Sequence, residues 1–376
     1  MKIGIVAGET SGDHLGAGLV KELRKRSSDI DFTGICGPRM QALGLSSMFE
    51  MDSISIMGVD GLLASIRKIL KVRKTLEQTL SREKPDVFVG IDVPDFNLTL
   101  EEKLRRRGIR TIHYVSPTVW AWRGYRIRKI RRAVDHMLTL FPFEAEFYQQ
   151  RGIPATFVGH PIADEIDPDI DQAAVRRNLD LPLDRPIIAL LPGSRTSEIR
   201  RLGELFLRTA NQLGTLYPDA IFITPAANKH TEQQFAAMVK QHATVPTRIY
   251  QHRSQQVMAA ADVILLASGT AALEAALLQR PMVVAYKVSL LTSLMVRLFA
   301  HVKYFSMPNN LLERPIVPEF LQKRATEANL VPALAAYLDD AELRQSTSEQ
   351  FAGILQTLRR GANQRAAELV LSIAGA

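Results

Sequence analysis

The residues best suited to chemistry in this chain stand just after short apolar runs. Val263–Leu266 is one such run; Ala267, Ser268, Gly269 and Thr270 follow it, and then the helix formers Ala271–Gln279. A strand that turns tightly into a helix presents unpaired backbone N–H groups and the positive end of a helix dipole, which together attract an anion. Glu274 falls one helical turn after Thr270, where its carboxylate can accept hydrogen bonds from a ribose diol. A plain strand–helix junction with a solvated Glu274 is the competing reading. Leu191-Pro-Gly-Ser-Arg195 also ends an apolar run, Ile187–Leu191, and adds a guanidinium. Gly193, Ser194 and Arg195 taken with Ser268, Gly269, Thr270 and Ala271 suit a diphosphate. Neither half has GxGxxG after its first strand, and the Walker pattern is absent, so a nucleotide-sugar site fits better than a dehydrogenase or a kinase.

A second set follows the apolar runs of the first half. Gly8, Glu9, Thr10, Ser11 and Asp13 come after Ile3–Val6, and Arg39 closes Gly37-Pro38-Arg39 after Phe32–Ile35. Asp92, Asp95 and Asn97 come after Val87–Ile91, with Ser116-Pro117 and Gly159-His160-Pro161 after later runs. Asp92 stands directly at a strand end, where such sheets meet their ligands. Asp95 is its neighbour and rival, with capping of a helix that begins near Phe96–Asn97 as the alternative. Asp13 and Glu9 form another rival pair. His113 sits inside a strand pattern and reads as a packed imidazole.

The elements that must position these residues alternate strand and helix, which predicts parallel sheets covered on both faces, with ligands beyond the carboxyl ends of the strands. Leu15, Leu19 and Leu23 stripe a helix from about His14 to Arg26. The pattern restarts after Pro161–Arg185, a stretch rich in Asp and Pro, so the expected architecture is α/β with two doubly wound, Rossmann-like domains. Residues 1–165 form the first and 186–340 the second. Residues 341–376 form a helical segment, part of a long run from Asp340 to Ser372 that packs back toward the first domain. Asp167, Asp169 and Asp171 imitate a metal-binding DxD, but no strand end positions them and they read as a solvated linker.

With 376 residues the chain is long enough for two cores, and its single Cys36 suits a reducing compartment and excludes an intrachain disulfide. MKIGIVAGE reads as a strand rather than a signal peptide, and no run reaches about 18–20 uncharged apolar residues. The formal charge of +8 points to an anionic partner. Two segments concentrate that charge. Leu62, Leu63, Ile66, Ile69, Leu70 and Val72 alternate with Arg67, Lys68, Lys71, Arg73 and Lys74 in an amphipathic pattern of the membrane-interface kind, or of an ordinary helix packed on the sheet. Arg123, Arg126, Arg128, Lys129, Arg131 and Arg132 follow Trp120 and Trp122, which suits nucleic acid, a membrane surface or a substrate phosphate. Val288–Phe305 is a weaker candidate for bilayer contact.

AGETSGD at 7–13, GPRMQ at 37–41, VGIDVPDFN at 89–97, HYVSPTVWAWR at 113–123, LPGSR at 191–195, LLASGTAALE at 265–274, PMVV at 281–284 and MPNNLL at 307–312 resemble the lipid-A-disaccharide synthase family nearly end to end. The resemblance implies a GT-B glycosyltransferase, its two domains facing a cleft and its C-terminal helices crossing back. It implies inverting transfer from UDP-2,3-diacylglucosamine to 2,3-diacylglucosamine 1-phosphate, giving a β-1,6-linked disaccharide and UDP. In that light the inverting attack needs a base near the acceptor hydroxyl, and the family's essential GID aspartate carries over to Asp92 as that candidate general base, a role that contributes about 10²–10⁴ in rate. Gly8, Glu9, Thr10, Ser11, Asp13, Arg39, Asp95 and Asn97 lie on the acceptor side. Gly193, Ser194, Arg195, Ser268–Ala271, Glu274, Asn309 and Gln322 hold the donor, with Glu198 as a weaker member, and neither metal nor cofactor is required. The acylated substrates favour the membrane reading of Leu62, Leu63, Ile66, Ile69 and Leu70, hence a cytoplasmic protein peripheral on the anionic inner membrane of a Gram-negative bacterium, without nucleic acid and with a second copy as a candidate partner. The alternatives are a UDP-sugar epimerase or another UDP-GlcNAc transferase of the same fold, and more remotely a nucleic-acid-binding protein.

Overall fold

A computed structural model describes residues 1–27, 29–54, 62–121, 124–288 and 303–375, without the side chains of 62–65. It divides into two compact units, one of Met1–Asp164 with Leu358–Ala376 and one of Glu165–Thr357. Each unit is built on a six-stranded parallel sheet.

In the first unit the strands are β1 (Lys2–Ala7), β2 (Asp31–Ile35), β3 (Val87–Ile91), β4 (Arg110–Tyr114), β5 (His136–Thr139) and β6 (Ala155–Phe157), in the order β2-β1-β3-β4-β5-β6. Their inner residues are apolar on both faces, as a sheet sandwiched between helices requires; all five residues of β3 are buried. The helix Thr10–Arg26 buries Leu15, Leu19 and Leu23 and begins a turn earlier than the leucine stripe suggests. The helix Leu62–Glu83 turns Val72, Leu76 and Leu80 onto a core shared with Phe88, Phe96 and Leu100.

In the second unit β7 (Ile187–Leu191), β8 (Ile221–Ala226), β9 (Thr247–Gln251), β10 (Val263–Ala267), β11 (Met282–Tyr286) and β12 (Glu319–Leu321) take the order β12-β11-β10-β7-β8-β9. β12 has only three residues, too few for a periodic signal, and the sequence reading missed it. In each sheet the chain winds outward in both directions from its first strand, so the topological switch lies between β1 and β3 and between β7 and β10. Ligands of doubly wound sheets bind at that point, beyond the carboxyl ends.

The C-terminal run is two helices. Ala341–Leu358 begins in the second unit, and Ala362–Gly375 belongs to the first. Gly361, at φ 69, breaks them apart. Asp164 accepts from the amides of Gly361 at 2.9 Å and Ala362 at 2.6 Å, capping the last helix. That helix packs on Thr10–Arg26, where Arg26 and Glu368 pair at 3.0 Å. Among the described residues no helix is long and apolar enough to cross a membrane.

Candidate functional site

In the second unit the loops after β7 and β10, neighbours across the switch, line one cavity of about 620 Å³. Gly193, Ser194, Arg195, Ser268, Gly269, Thr270, Ala271 and Glu274 all face it. The helix Thr196–Leu216 opens directly after Arg195, and Thr270–Leu277 directly after Gly269, so two helix N-termini point their positive ends at the same space. The PGSR turn is braced from within: Glu198 Oε2 accepts from the amides of Ser194 at 3.0 Å and Arg195 at 3.3 Å. Gly193 sits at φ 129, and a Cβ there would fall 2.4 Å from Glu198 Cβ, so only glycine makes this turn. Glu198 is thus a structural brace, while the Arg195 side chain projects outward. Glu274 is largely enclosed, and burial pushes its carboxyl above the usual range, which suits a group waiting for hydroxyl donors. Glu198 also lines the cavity, as do the strand ends Leu191 and Ala267; the remaining wall is Pro225, Ala226, Ala227, His252, Ser254 and Tyr286. The sequence reading missed them, although His252 and Ser254 follow β9 as a strand-end rule would have it.

In the first unit Asp92 opens onto a second cavity, of about 350 Å³, with Pro94, Asp95, the 115–119 loop and Arg126. The backbone here is held against its preferences. Asp92 lies at φ 53, Val93 at φ 43 and ψ 58, and Val115 at φ 80. A left-handed β-branched residue costs on the order of 1–3 kcal/mol, and such strain concentrates at working sites. Asn97 holds the turn in place; its Nδ2 donates to the Asp92 carbonyl at 2.8 Å and to Ile91 O at 3.3 Å. Asn97 is itself fully buried, so it positions Asp92 rather than facing a ligand. Asp95 does not cap the helix Pro94–Arg105, whose N-cap is Val93; its carboxylate reaches Arg126 Nη2 at 2.6 Å instead. Glu144 lies behind the 115–121 loop, accepting from Trp120 Nε1 at 3.2 Å, and burial pushes its carboxyl up to about 7.

Glu9, Thr10 and Ser11 are exposed at the carboxyl end of β1. Gly8 lies against the strained turn, since a Cβ on it would fall 2.7 Å from Val93 Cγ2. Asp13 has a different task from catalysis. It is 1% exposed, and its carboxylate accepts from the amides of Gly37 at 3.0 Å, Arg39 at 2.8 Å and Met40 at 3.2 Å. Those bonds close the turn after β2, leaving Arg39 Nη1 2.5 Å from His14 Nδ1. His113 is packed as its strand position implied, with Nδ1 2.7 Å from Glu101 Oε1 and both side chains fully enclosed. Burial raises the Glu101 carboxyl, and nothing in the sequence singled that residue out.

Asn309 is also enclosed. Its Nδ2 donates to Val317 O at 2.9 Å and Glu319 Oε1 at 2.8 Å, and its Oδ1 accepts from Val317 N at 2.8 Å. Neither Asn309 nor Gln322 is among the described residues that line the cavity of the second unit. Asp171 caps the helix Gln172–Asn178, and Asp167 accepts from Asp169 N, so the DxD imitation is local linker structure. On the basic helix Leu62–Glu83, Ile69 packs toward the core while Ile66 and Leu70 are exposed. The side chains of Leu62 and Leu63, residues Trp122 and Arg123, and most of Val288–Phe305 lie outside the described residues.

The chain matches the lipid-A-disaccharide synthetase family over residues 3–373. The lipid-A-disaccharide synthase of Pseudomonas aeruginosa (strain UCBPP-PA14) is 46% identical over 373 residues, covering 99% of this chain and 98% of its own. That of Pseudomonas fluorescens (strain Pf0-1) is 47% identical over 375 residues, covering 100% and 98%. Among solved structures, MurG of Acinetobacter baumannii is similar with a TM-score of 0.63 at 16% identity, over 99% of both chains. The UDP-GlcNAc 2-epimerase of Neisseria meningitidis bound to UDP-GlcNAc gives 0.61 at 12%, again over 99% of both. At such identities these likenesses speak for the fold alone, which is that of the GT-B group.

Proposed function

This chain belongs to the lipid-A-disaccharide synthetase family, and from that membership we infer how its residues divide the work of the reaction. It is a glycosyltransferase that joins UDP-2,3-diacylglucosamine to 2,3-diacylglucosamine 1-phosphate, releasing UDP and a β-1,6-linked disaccharide. The epimerase alternative gives way here. The epimerases share the fold at low identity, whereas the synthases match end to end at 46–47%. The nucleic-acid alternative gives way on the same ground.

The observation that carries the assignment is the single cavity lined by Gly193–Arg195, Ser268–Ala271 and Glu274 across the β7/β10 switch. In our reading the diphosphate lies between the Arg195 guanidinium and the N-terminus of Thr270–Leu277, and Glu274 accepts from the ribose hydroxyls. As the anomeric C–O bond breaks, negative charge grows on the UDP oxygen, and these groups stabilise it most at that moment. Asp92 takes the proton of the acceptor 6-hydroxyl as that oxygen attacks the anomeric carbon from the opposite face, so configuration inverts. Turnover therefore needs both lipid sugars, with UDP and disaccharide formed in equal amounts. Asp92→Asn is expected to abolish turnover while leaving UDP binding intact; near-normal turnover in that variant removes Asp92 from the role.

Both substrates carry acyl chains, and the helix Leu62–Glu83 offers a way to reach them. Ile66 and Leu70 project outward among Arg67, Lys68, Lys71 and Lys74, all exposed. Each basic residue near an anionic leaflet contributes about 1 kcal/mol, enough in sum for reversible attachment to the cytoplasmic face of the inner membrane. The double change Ile66→Ser with Leu70→Ser leaves the core untouched and should weaken sedimentation with phosphatidylglycerol vesicles. Unchanged sedimentation contradicts the membrane role.

A further inference from the structure

The cavity beside Asp92 contains one guanidinium among its described lining residues, that of Arg126, and one rival for it. Arg126 Nη2 donates to Asp95 Oδ1 at 2.6 Å. The two partners differ sharply in setting: the Arg126 side chain is 15% exposed, while that of Asp95 is 77% exposed. The cation lies in the wall and the carboxylate meets it from the solvent side. An ion pair with so exposed a member holds weakly.

Two carboxylates, Asp92 and Asp95, line the same cavity, and further cations stand behind them. Arg73 Nη1 comes within 3.5 Å of the Asp95 carbonyl, and Lys129 Nζ donates to Thr99 Oγ1 at 2.7 Å, both on the helix that Asp95 opens. Partial burial holds both cations below their ordinary values, and Arg73 further depresses Lys129. Glu77 pairs with Lys103 and Arg107 and also acts on Arg73, while Glu102 pairs with Arg106 and Arg132 and also acts on Lys129. Arg126 is thus the cation paired directly to Asp95, with Lys129 also in the field of that carboxylate, at the positive end of the helix Pro94–Arg105. A phosphate monoester suits the Arg126 guanidinium better than the exposed carboxylate of Asp95 does. It brings a second charge and can engage a guanidinium through two oxygens.

We propose that Arg126 and the first turn of Pro94–Arg105 form the subsite for the phosphate monoester of the acceptor, with Asp95 as the resident carboxylate that the phosphate displaces. The pair selects for phosphorylated sugars. An acceptor without phosphate leaves Arg126 paired to Asp95 and gains nothing, whereas a 1-phosphate exchanges a weak contact for a stronger one. The proposal rests on the reading that the Asp92 cavity takes the acceptor.

The test is steady-state kinetics on the full chain with 2,3-diacylglucosamine 1-phosphate and with 2,3-diacylglucosamine lacking phosphate. Arg126→Gln is expected to raise KM for the phosphorylated acceptor about tenfold or more, the scale of one charge-assisted bond, with kcat and donor KM little changed. It should leave the unphosphorylated acceptor unaffected, and Arg126→Lys should restore part of the preference. Asp95→Asn removes the competitor and should lower KM for the phosphorylated acceptor. Equal losses on both acceptors in Arg126→Gln, or a raised KM in Asp95→Asn, overturn the proposal and leave the pair a structural one. Asp92→Asn run in parallel separates the two levels. If it abolishes turnover while Arg126→Gln shows no phosphate selectivity, only the subsite fails; if it retains turnover, the acceptor reading of the cavity fails and the subsite with it.

Discussion

Replacing Gly90 by alanine puts a methyl group where a carboxylate oxygen already stands. The new Cβ would lie 2.1 Å from Glu101 Oε1 and 3.0 Å from Asn97 Cβ. Glu101 cannot swing into solvent, because it is fully buried and bonded to the equally buried His113 at 2.7 Å. Relief requires breaking that contact or shifting the helix Pro94–Arg105. Overpacking a tight core costs about 1–3 kcal/mol and stranding a buried polar partner a similar amount, so a loss of about 2–4 kcal/mol is expected. The chain has two tryptophans, Trp120 and Trp122, and both fall in the first unit. Tryptophan fluorescence in urea thus reports that unit alone, and the midpoint should fall by about 1 M or more. Activity should fall too, because Asn97, pushed by the same methyl, holds the Asp92 carbonyl at 2.8 Å. UDP affinity, which we place in the other unit, should not change. Glu101→Ala makes room, so the two substitutions together should cost less than their sum. A midpoint within error of the unsubstituted protein, or strict additivity with Glu101→Ala, refutes the steric argument.

Three further outcomes can be checked. Burial lifts Glu144 from an ordinary value of 4.5 to about 7, so the folded protein keeps a proton that the unfolded chain releases. Its contribution favours the fold at low pH and is lost as pH rises through about 7, and Glu144→Gln, which cannot ionise, should flatten the fall in stability between about pH 5 and pH 8; an unchanged slope argues against it. Glu319 gathers the amides of Phe305 and Ser306, the Ser306 hydroxyl and Asn309 Nδ2, and Phe305 O in turn accepts from Ser268 Oγ at 3.3 Å. Glu319→Gln turns one acceptor into a donor, so UDP should bind about tenfold more weakly by calorimetry, and unaltered binding shows the Ser268 turn to be independent of it. Glu274→Ala should lower affinity for UDP but not for 2′-deoxy-UDP, and equal losses on both reject the ribose contact.

Much of the architecture was legible in the residues because its causes are local. Apolar runs of four or five residues followed by small or polar ones mark the strand ends, and in a doubly wound sheet those ends are where ligands bind. That logic located LPGSR, SGTA and Asp92 before any fold was known. The elements it misplaced lack a local cause. β12 is three residues long, the terminal run divides because Asp164 caps a helix nearly two hundred residues later in the chain, and Ile69 faces inward because it packs on a core that Val6, Phe88 and Phe96 bring from other elements. The same holds for the choice among carboxylates. Asp13, Asp92 and Asp95 are alike as strand-end aspartates in motif surroundings. Tertiary structure committed Asp13 to the amides of 37–40, turned Asp95 to Arg126, and left Asp92 on a strained turn over a cavity. Sequence by itself determined which strand ends offer a turn suited to chemistry, since small turns and helix starts are local choices of the chain. Which of several similar side chains remains available for it was decided by hydrogen bonds between residues far apart in sequence, and those exist only once the sheets have formed.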